Sequence, residues 1–318
     1  MKDQELRVFT LTRTISSSIV ASVVVFSVVF NSWLGSSDIS WQIVLALIAL
    51  AIGIPHGALD HLVTLPKSSL GKMAFFVTIY IAIAALAIIA ILTWNVMGFI
   101  AVVAMSSLHF GIGDAAFISE IDRRSVKSQK FPRYLYALVA GSIPVLIPLV
   151  NDQSTDALAQ VNSALINWHQ GFASQIQAAV LVVTAIAAIS LLIFSRFRDL
   201  LDLALLVALA FLAPPLVAFA TYFGCWHAMR HTARLTLVLV RSQKNIQSHR
   251  PGKAFLSAVI PGLPALVGTF VVAGAITLVR DEPLSTRFFW MALVVVWALT
   301  VPHMLVTAKL DRAALRDV

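Results

Sequence analysis

Apolar runs about as long as a membrane is thick recur along the whole 318-residue chain. A helix needs about 20 mostly apolar residues to cross about 30 Å of hydrocarbon, and a segment inside a bilayer must satisfy its own backbone hydrogen bonds. The ten candidate spans are 14–34, 41–65, 73–94, 97–118, 132–150, 172–195, 199–213, 216–240, 254–279 and 287–308. We therefore predict an all-α, polytopic transmembrane helix bundle.

The composition excludes a soluble protein. Apolar residues make up 59% of the chain and charged residues only 12%, whereas a soluble domain carries about 25% charged residues. A soluble enzyme, a disordered chain and a disulfide-rich domain are excluded, the last also because Cys225 is the only cysteine. The net charge of +8 would suggest nucleic acid in a soluble chain. We attribute it instead to basic cytoplasmic loops and predict no nucleic-acid partner.

The positions of the basic residues indicate an orientation. If all ten candidate spans cross and both termini are cytoplasmic, all but four of the 23 basic residues lie in cytoplasmic loops or tails, as the positive-inside bias requires. The seventh candidate, 199–213, is short and precedes Pro214 and Pro215, so the number of spans is eight to ten, with ten preferred. No loop is long enough for a soluble domain. We predict a single integral-membrane domain, residues 1–318, in the cell membrane.

Histidine is the main polar residue within the predicted spans, which hold six of the eight histidines. An ionisable side chain inside a membrane costs a few kcal/mol, so such residues are functional candidates. These histidines fall in four motifs, Pro55-His56-Gly57-Ala58-Leu59-Asp60-His61, His109-Phe110-Gly111-Ile112-Gly113-Asp114, Trp226-His227-Ala228-Met229-Arg230-His231 and Pro302-His303-Met304. At about 1.5 Å per residue, five of them fall in one layer less than about 10 Å thick.

This layer predicts a metal site. His227 and His231 are four residues apart, which places both on one face of a helix and lets them bind one ion. His56, His109 and His303 lie at a similar depth in three other spans. Imidazole nitrogens bind zinc, copper, iron and nickel, so the residues alone do not select the metal.

Other polar residues near this layer are further candidates for the site. Asp60 follows His56 by four residues and would share its helix face, where a carboxylate could orient an imidazole. Asp114 is less well placed for that role, and His61 lies closer to the cytoplasmic end of its span. For His61 or His303 taken singly, a hydrogen-bonding link between helices is an equal alternative to metal binding.

Two arginines fall in the eighth candidate span. Arg230 and Arg234 are expected to extend to the inner membrane surface or to pair with Asp60 or Asp114. Either arrangement would give them a structural role.

The four motifs, in this order and with this hydropathy, resemble the signatures of the Brp/Blh family. Its members are integral-membrane β-carotene 15,15′-dioxygenases of bacteria and archaea that supply retinal to microbial rhodopsins. The similarity runs from the second span to the last. The resemblance implies an Fe(2+) centre with the ligands His56, His109, His227 and His231, and it names no catalytic residue beyond these ligands.

The same resemblance implies the reaction. O2 would cleave β-carotene at the central 15,15′ double bond to give two molecules of all-trans-retinal, with a microbial rhodopsin as the recipient. Because β-carotene dissolves in the bilayer, an enzyme with a site inside the membrane can receive it laterally and has to position it at the metal. Phe110, Trp226 and Met229, which neighbour the ligands in sequence, are predicted walls of a substrate tunnel.

Two other functions fit the sequence less well. Membrane di-iron oxygenases and hydroxylases are also helical, but they use several histidine boxes with His-His pairs. This chain has no His-His dipeptide and a single His-x-x-x-His. A proton-coupled transporter would also use ionisable residues inside the membrane, but no inverted repeat is evident. A retinal-binding opsin is excluded because every lysine lies in a loop or at a membrane edge.

Overall fold

The computed structural model describes residues 2–30, 39–65, 69–125, 130–281 and 284–316. All regular secondary structure in these residues is helical, which confirms the predicted all-α class. The α-helices are α1 Lys2–Val29, α2 Ser40–Gly57, α3 Asp60–Thr64, α4 Leu70–Thr93, α5 Asn95–Asp122, α6 Arg133–Leu149, α7 Ser154–Asn162, α8 Ala173–Ile193, α9 Phe197–Leu212, α10 Pro215–Ala220, α11 Ala228–Leu235, α12 Val240–Gln247, α13 Pro251–Val259, α14 Leu263–Val279 and α15 Leu284–Leu315. A π-helical segment, Thr221–His227, joins α10 to α11.

Seven segments within the described residues are long and apolar enough to cross a membrane, which confirms a polytopic helix bundle. They are Lys2–Val29, Ser40–Thr64, Leu70–Thr93, Asn95–Asp122, Ala173–Ile193, Pro251–Val279 and Arg287–Leu315. Each overlaps a predicted span, although α1 begins well before residue 14 and residues 31–34 lie outside the described part. Two other predicted spans coincide with shorter helices, α6 of 17 residues and α9 of 16. The total of ten spans and the cytoplasmic termini stay predictions.

The remaining predicted span, 216–240, corresponds to a composite helix that runs from Pro215 to Leu235. α10 begins with Pro215 in its first turn, where the missing N–H has no intrahelical partner to lose. The chain then passes through the π-helical segment and continues as α11. A π-turn accommodates an extra residue and is frequent at functional sites. It rotates His227, the last π residue, relative to the residues that precede it.

Helices α5 and α6 pack backbone against backbone. A Cβ atom at Gly111 would collide with the carbonyl group of Ala137, and one at Gly141 would collide with that of Ser107. Helices in membranes approach this closely where small residues face each other. The contact fixes the part of α5 that carries His109.

Buried ion pairs tie α1 to the composite helix through α9. Asp202 accepts hydrogen bonds from Arg13 at 2.9 Å and from Arg230 at 3.0 Å, and its side chain is inaccessible to solvent. Arg230 also lies 3.6 Å from Asp114. Arg230 therefore pairs inside the protein and does not extend to the membrane surface.

The other arginine of the composite helix pairs with the last helix. A terminal nitrogen of Arg234 donates a hydrogen bond to Asp311 in α15 at 2.6 Å, and both side chains are buried. The sequence offered Asp60 or Asp114 as its partner. Asp311 lies far from Arg234 along the chain, and no sequence spacing reveals a contact of this kind.

Candidate metal centre

Five histidines from four helical segments meet inside the bundle, and all five are buried. α2 contributes His56, α5 His109, the composite helix His227 and His231, and α15 His303. The ring centroid of His56 lies 5.3 Å from that of His227 and 5.2 Å from that of His231. The ring centroid of His303 lies 5.4 Å from that of His56 and 5.1 Å from that of His109. The histidines assigned to one layer in the sequence are therefore neighbours in space.

Three of these histidines have a spacing close to that of a metal site. One ring nitrogen each of His56, His109 and His227 lies within 4.8 Å of the other two. An ion bound to imidazole nitrogens at about 2.0–2.1 Å holds them roughly 3–4 Å apart. Only a small adjustment of the side chains would bring all three nitrogens onto one ion.

Several ring nitrogens of the cluster are buried and lack a hydrogen-bond partner among the described residues. They are Nε2 of His109, His227 and His303 and both ring nitrogens of His231. Buried polar atoms are rarely left without a partner, and each such atom costs about 1–3 kcal/mol of desolvation. A metal ion would supply the missing interaction, so this donor set fits a metal centre.

Hydrogen bonds select the tautomer of two of the rings. Nδ1 of His56 contacts the carbonyl oxygen of Gly53, and because a carbonyl only accepts, this nitrogen carries the proton. Nδ1 of His303 lies 2.9 and 3.0 Å from the two carboxylate oxygens of Asp60. The same carboxylate accepts a hydrogen bond from the Tyr80 hydroxyl at 2.9 Å. In the neutral ring, Nε2 then keeps its lone pair for a ligand, the usual arrangement of metal-binding histidines.

Asp60 orients a different imidazole from the one that its spacing predicts. α2 ends at Gly57 and α3 begins at Asp60, so a turn at residues 58–59 interrupts the helix. The four-residue spacing therefore does not place Asp60 on the helix face of His56. Its carboxylate binds His303 of α15 instead.

Two further predicted residues have other contacts. His61 is half-buried in α3, where Nδ1 lies 3.1 Å from the carbonyl oxygen of Ala58. Asp114 is fully buried and accepts a hydrogen bond from the indole nitrogen of Trp226 at 2.6 Å. With Arg230 on its other side, Asp114 holds the composite helix against α5 and does not orient an imidazole.

A cavity of about 210 Å³ adjoins the histidines and borders the lipid-facing surface. We call it the portal cavity, and its lining includes His56, His109, His303, Phe76, Tyr80 and Thr269. α4 and α14 flank it, and two of its α4 residues, Val77 and Ile81, are 39% and 60% exposed on the outside of the bundle. The portal cavity therefore lies between the histidines and the apolar outer surface of α4.

Of the three predicted tunnel residues, only Phe110 lines this cavity, and its ring centroid lies 4.4 Å from that of His227. Trp226 is fully buried, with the guanidinium of Arg230 3.4 Å from a ring centroid. Met229 borders a separate cavity beside α1. Successive residues of a helix point in different directions, so a residue next to a predicted ligand in sequence need not line the portal cavity.

Sequence reasoning missed two residues of the site. Tyr80 bonds Asp60 and lines the portal cavity; a hydroxyl within a strongly apolar span was the signal that could have identified it. Phe223 also lines this cavity, and its ring centroid lies 6.0 Å from that of His56. Nothing in the sequence distinguishes it from the other phenylalanines, of which the chain has 19 in all.

Comparisons with known proteins match most of the chain. A family model described as "Beta-carotene 15,15'-dioxygenase" matches residues 47–311, which include all five clustered histidines. A protein of Halobacterium salinarum described as "Probable beta-carotene 15,15'-dioxygenase Blh" is 25% identical over 285 residues, covering 83% of this chain and 82% of its own. A beta-carotene 15,15'-dioxygenase of the uncultured marine bacterium 66A03 is 25% identical over 273 residues, covering 82% and 90%. No solved structure matches the chain significantly.

Proposed function

Because this chain belongs to the β-carotene 15,15′-dioxygenase family of oxidoreductases, we propose that it cleaves β-carotene at the central 15,15′ double bond with O2, giving two molecules of all-trans-retinal. The observation that carries the proposal is the buried imidazole cluster, whose unpartnered nitrogens adjoin a cavity at the lipid-facing surface. In overall balance, each carbon of the broken double bond gains one oxygen atom. The reaction therefore needs no reactant besides β-carotene and O2.

We propose Fe(2+) as the cofactor, and its ligands would be His56, His109, His227 and His231. Imidazole also binds zinc, copper and nickel, so the choice of iron rests on the oxygen chemistry of the family. Bound iron would supply the activation of O2. Four nitrogen ligands leave coordination positions free for this purpose.

The other residues of the site hold and position the reacting groups. The overall reaction neither takes up nor releases a proton, and we assign no acid or base among these residues. The Gly53 carbonyl and the Asp60 carboxylate orient their imidazoles. Phe110 packs against His227 and forms part of an apolar wall that keeps water from the reacting carbons.

The protein would act as one catalytic domain, residues 1–318, in the cell membrane. β-Carotene is soluble in hydrocarbon, so it would reach the portal cavity sideways from the bilayer, between α4 and α14. Retinal is also soluble in hydrocarbon, so it would leave through the bilayer and reach a microbial rhodopsin there.

Expression in cells that make β-carotene tests this function. We expect the orange colour to fade while retinal accumulates in an amount close to two molecules per β-carotene consumed, measured by chromatography of a solvent extract. Cells that carry the empty vector are the control. Persistent β-carotene in cells whose membranes contain the folded protein would contradict the proposal.

Iron analysis of the purified protein separates this proposal from the di-iron alternative. We expect one iron ion per chain, because the five imidazoles form one cluster in which ring nitrogens of three lie within 4.8 Å of one another. Two iron ions per chain would favour a di-iron oxygenase. Zinc in place of iron, with no gain of activity on iron loading, would contradict the choice of metal.

The contact between Asp60 and His303 predicts a measurable effect on metal binding. His303 is a further candidate ligand beside the four proposed ones. If it binds the iron, Asp60→Asn should lower iron affinity about 10- to 100-fold, the usual effect of losing a partner that orients a metal-binding histidine. Tyr80→Phe should have a smaller effect because the carboxylate remains. Iron retained against graded concentrations of chelator measures both.

A matched control for Asp60→Asn is Asp156→Asn, which changes an exposed carboxylate of α7 and should leave iron binding unaltered. Iron affinity in Asp60→Asn equal to that of the natural protein would contradict a role of the Asp60 carboxylate in metal binding through His303.

A further inference from the structure

A second cavity lies next to the portal cavity. The residues that line its far end do not line the portal cavity. We call this second cavity the inner cavity; its volume is about 120 Å³. The two cavities share four lining residues, Phe110, Phe223, Val296 and Thr300, which we call the shared wall. The inner cavity therefore begins where the portal cavity ends.

The two cavities are stacked end to end along the helices. The inner cavity follows α5 from Phe110 back to Phe99 and follows α15 from Thr300 back to Phe289, which is about 16 Å in each case at 1.5 Å per residue. The portal cavity continues along α15 in the opposite direction, to His303. A long, narrow molecule could occupy both cavities at once.

The clustered histidines lie at the junction of the two cavities. The ring centroid of Phe110 lies 4.4 Å from that of His227, and the ring centroid of Phe223 lies 6.0 Å from that of His56. The centroids of the two phenylalanine rings are 6.2 Å apart. Because these two rings are in contact, a chain that occupies both cavities would have to push them apart. It would then present an interior bond to the histidines, with its ends away from them.

The inner cavity is apolar, and buried side chains line its far end. α7 covers it with the buried side chains of Ala157, Leu158 and Val161, and Phe289 lines it from α15. Its polar lining consists of a few hydroxyl groups, such as that of Ser106, and includes no charged side chain among the described residues. This chemistry suits a hydrocarbon end group and gives a charged or hydrated one no partner.

A surface groove extends the path on the other side. The groove has a volume of about 420 Å³ and shares Phe76 and Tyr80 with the portal cavity. It also includes Phe75 and Leu305, which are 68% and 67% exposed on the outside of the bundle. The half of a long substrate that does not enter the inner cavity can therefore remain in the portal cavity and against the lipid.

We propose that the inner cavity receives one ring-bearing half of the carotenoid, and that its depth decides which double bond lies beside the metal. This inference rests on the proposed function. The double bonds of a conjugated chain are chemically similar, so the metal alone could not select the central one. The buried side chains at the far end limit how deep the chain can enter, and this depth sets the distance from its end group to the reacting bond.

Variants that shorten or deepen the inner cavity test the proposal. Val103→Phe and Leu293→Phe place a ring part of the way along it, and Phe289→Ala removes one at its far end. We expect both shortened variants to keep their iron but to form retinal at least about tenfold more slowly, with apocarotenals of unequal length appearing instead. Phe289→Ala should also produce unequal products, because the chain enters further. Chromatography of the products measures each effect.

Leu86→Phe is the matched control, because it adds the same ring at a lipid-exposed position of α4 and should leave the products unaltered. Retinal as the sole product, formed at the natural rate in both shortened variants, would overturn the proposal.

A binding measurement decides the case in which a shortened variant or the natural protein forms no product. The part of the tryptophan fluorescence quenching that is lost in Trp297→Phe, since Trp297 lines the inner cavity, reports β-carotene bound in that cavity of the iron-free protein. We expect the dissociation constant to rise at least about tenfold in Val103→Phe and Leu293→Phe, and an unchanged constant in both would overturn the cavity assignment. Absence of cleavage by the natural protein with normal binding would instead contradict the proposed function alone.

Discussion

Replacing His227 or His231 with alanine should abolish both iron retention and β-carotene cleavage. The two side chains come from one helix, and their ring centroids lie 6.1 Å apart. Each removal takes a nitrogen donor from the cluster and leaves a gap that water would fill. We expect iron affinity to fall by more than about 100-fold, beyond the effect of losing a partner that only orients a ligand. Iron analysis after purification and retinal yield in β-carotene-producing cells measure the two losses.

The control for these variants changes a histidine outside the cluster. His249 lies exposed after α12 with a positive φ of 57°, so His249→Asn is the suitable substitution, since asparagine tolerates that conformation. It should retain iron and activity. Full activity in His227→Ala or His231→Ala would refute the assignment of that residue as a ligand, and an intact elution profile in detergent would show that a loss does not come from unfolding.

Replacing Asp202 with alanine should lower the free energy of unfolding by about 3–5 kcal/mol, the usual cost of removing one partner from a buried ion pair. Asp202 accepts hydrogen bonds from Arg13, Arg230 and Ser17. Its loss leaves Arg230 with only the longer contact to Asp114, at 3.6 Å, as a carboxylate partner. Equilibrium unfolding in mixed detergent micelles measures the change.

Asp156→Ala, at an exposed position of α7, is the control for this second effect and should alter the free energy of unfolding by less than about 0.5 kcal/mol. The same stability in Asp202→Ala and in the natural protein would mean that the buried network does not contribute to the fold. Because Arg230 directly precedes His231, we also expect Asp202→Ala to bind iron more weakly even where it remains folded.

The helices and the identity of the clustered histidines could be predicted because a membrane makes polar residues exceptional. An apolar run long enough to cross the membrane forms a helix because its backbone must satisfy its own hydrogen bonds there. An imidazole within such a run is easily recognised in the sequence. Helix rise then converts position along each run into depth, which is how His56, His109 and His303 could be grouped before their contacts were known. Depth is a property of one helix at a time, so it needs no knowledge of packing.

The direction in which a side chain points around the axis of its helix, and hence its contacts, could not be predicted in the same way. Asp60 was expected on the face of His56, but a turn at residues 58–59 interrupts the helix and turns the carboxylate toward His303. The prediction for Trp226 assumed that a neighbour of His227 in sequence would share its surroundings. The indole points instead to Asp114, in a segment whose π-helical turns alter the rotation per residue.

The ion pairs of α1 show that the structural unit extends beyond the residues that match the family model. The matched family region begins at residue 47, so the whole of α1 precedes it. Yet Arg13 reaches both Asp199 and Asp202, and Ser16 accepts a hydrogen bond from Arg230. A chain trimmed to the matched region would keep every clustered histidine, but Asp199 and Asp202 would each lose a buried arginine partner. A segment that lies outside the matched family region can thus belong to the scaffold that holds the histidine cluster.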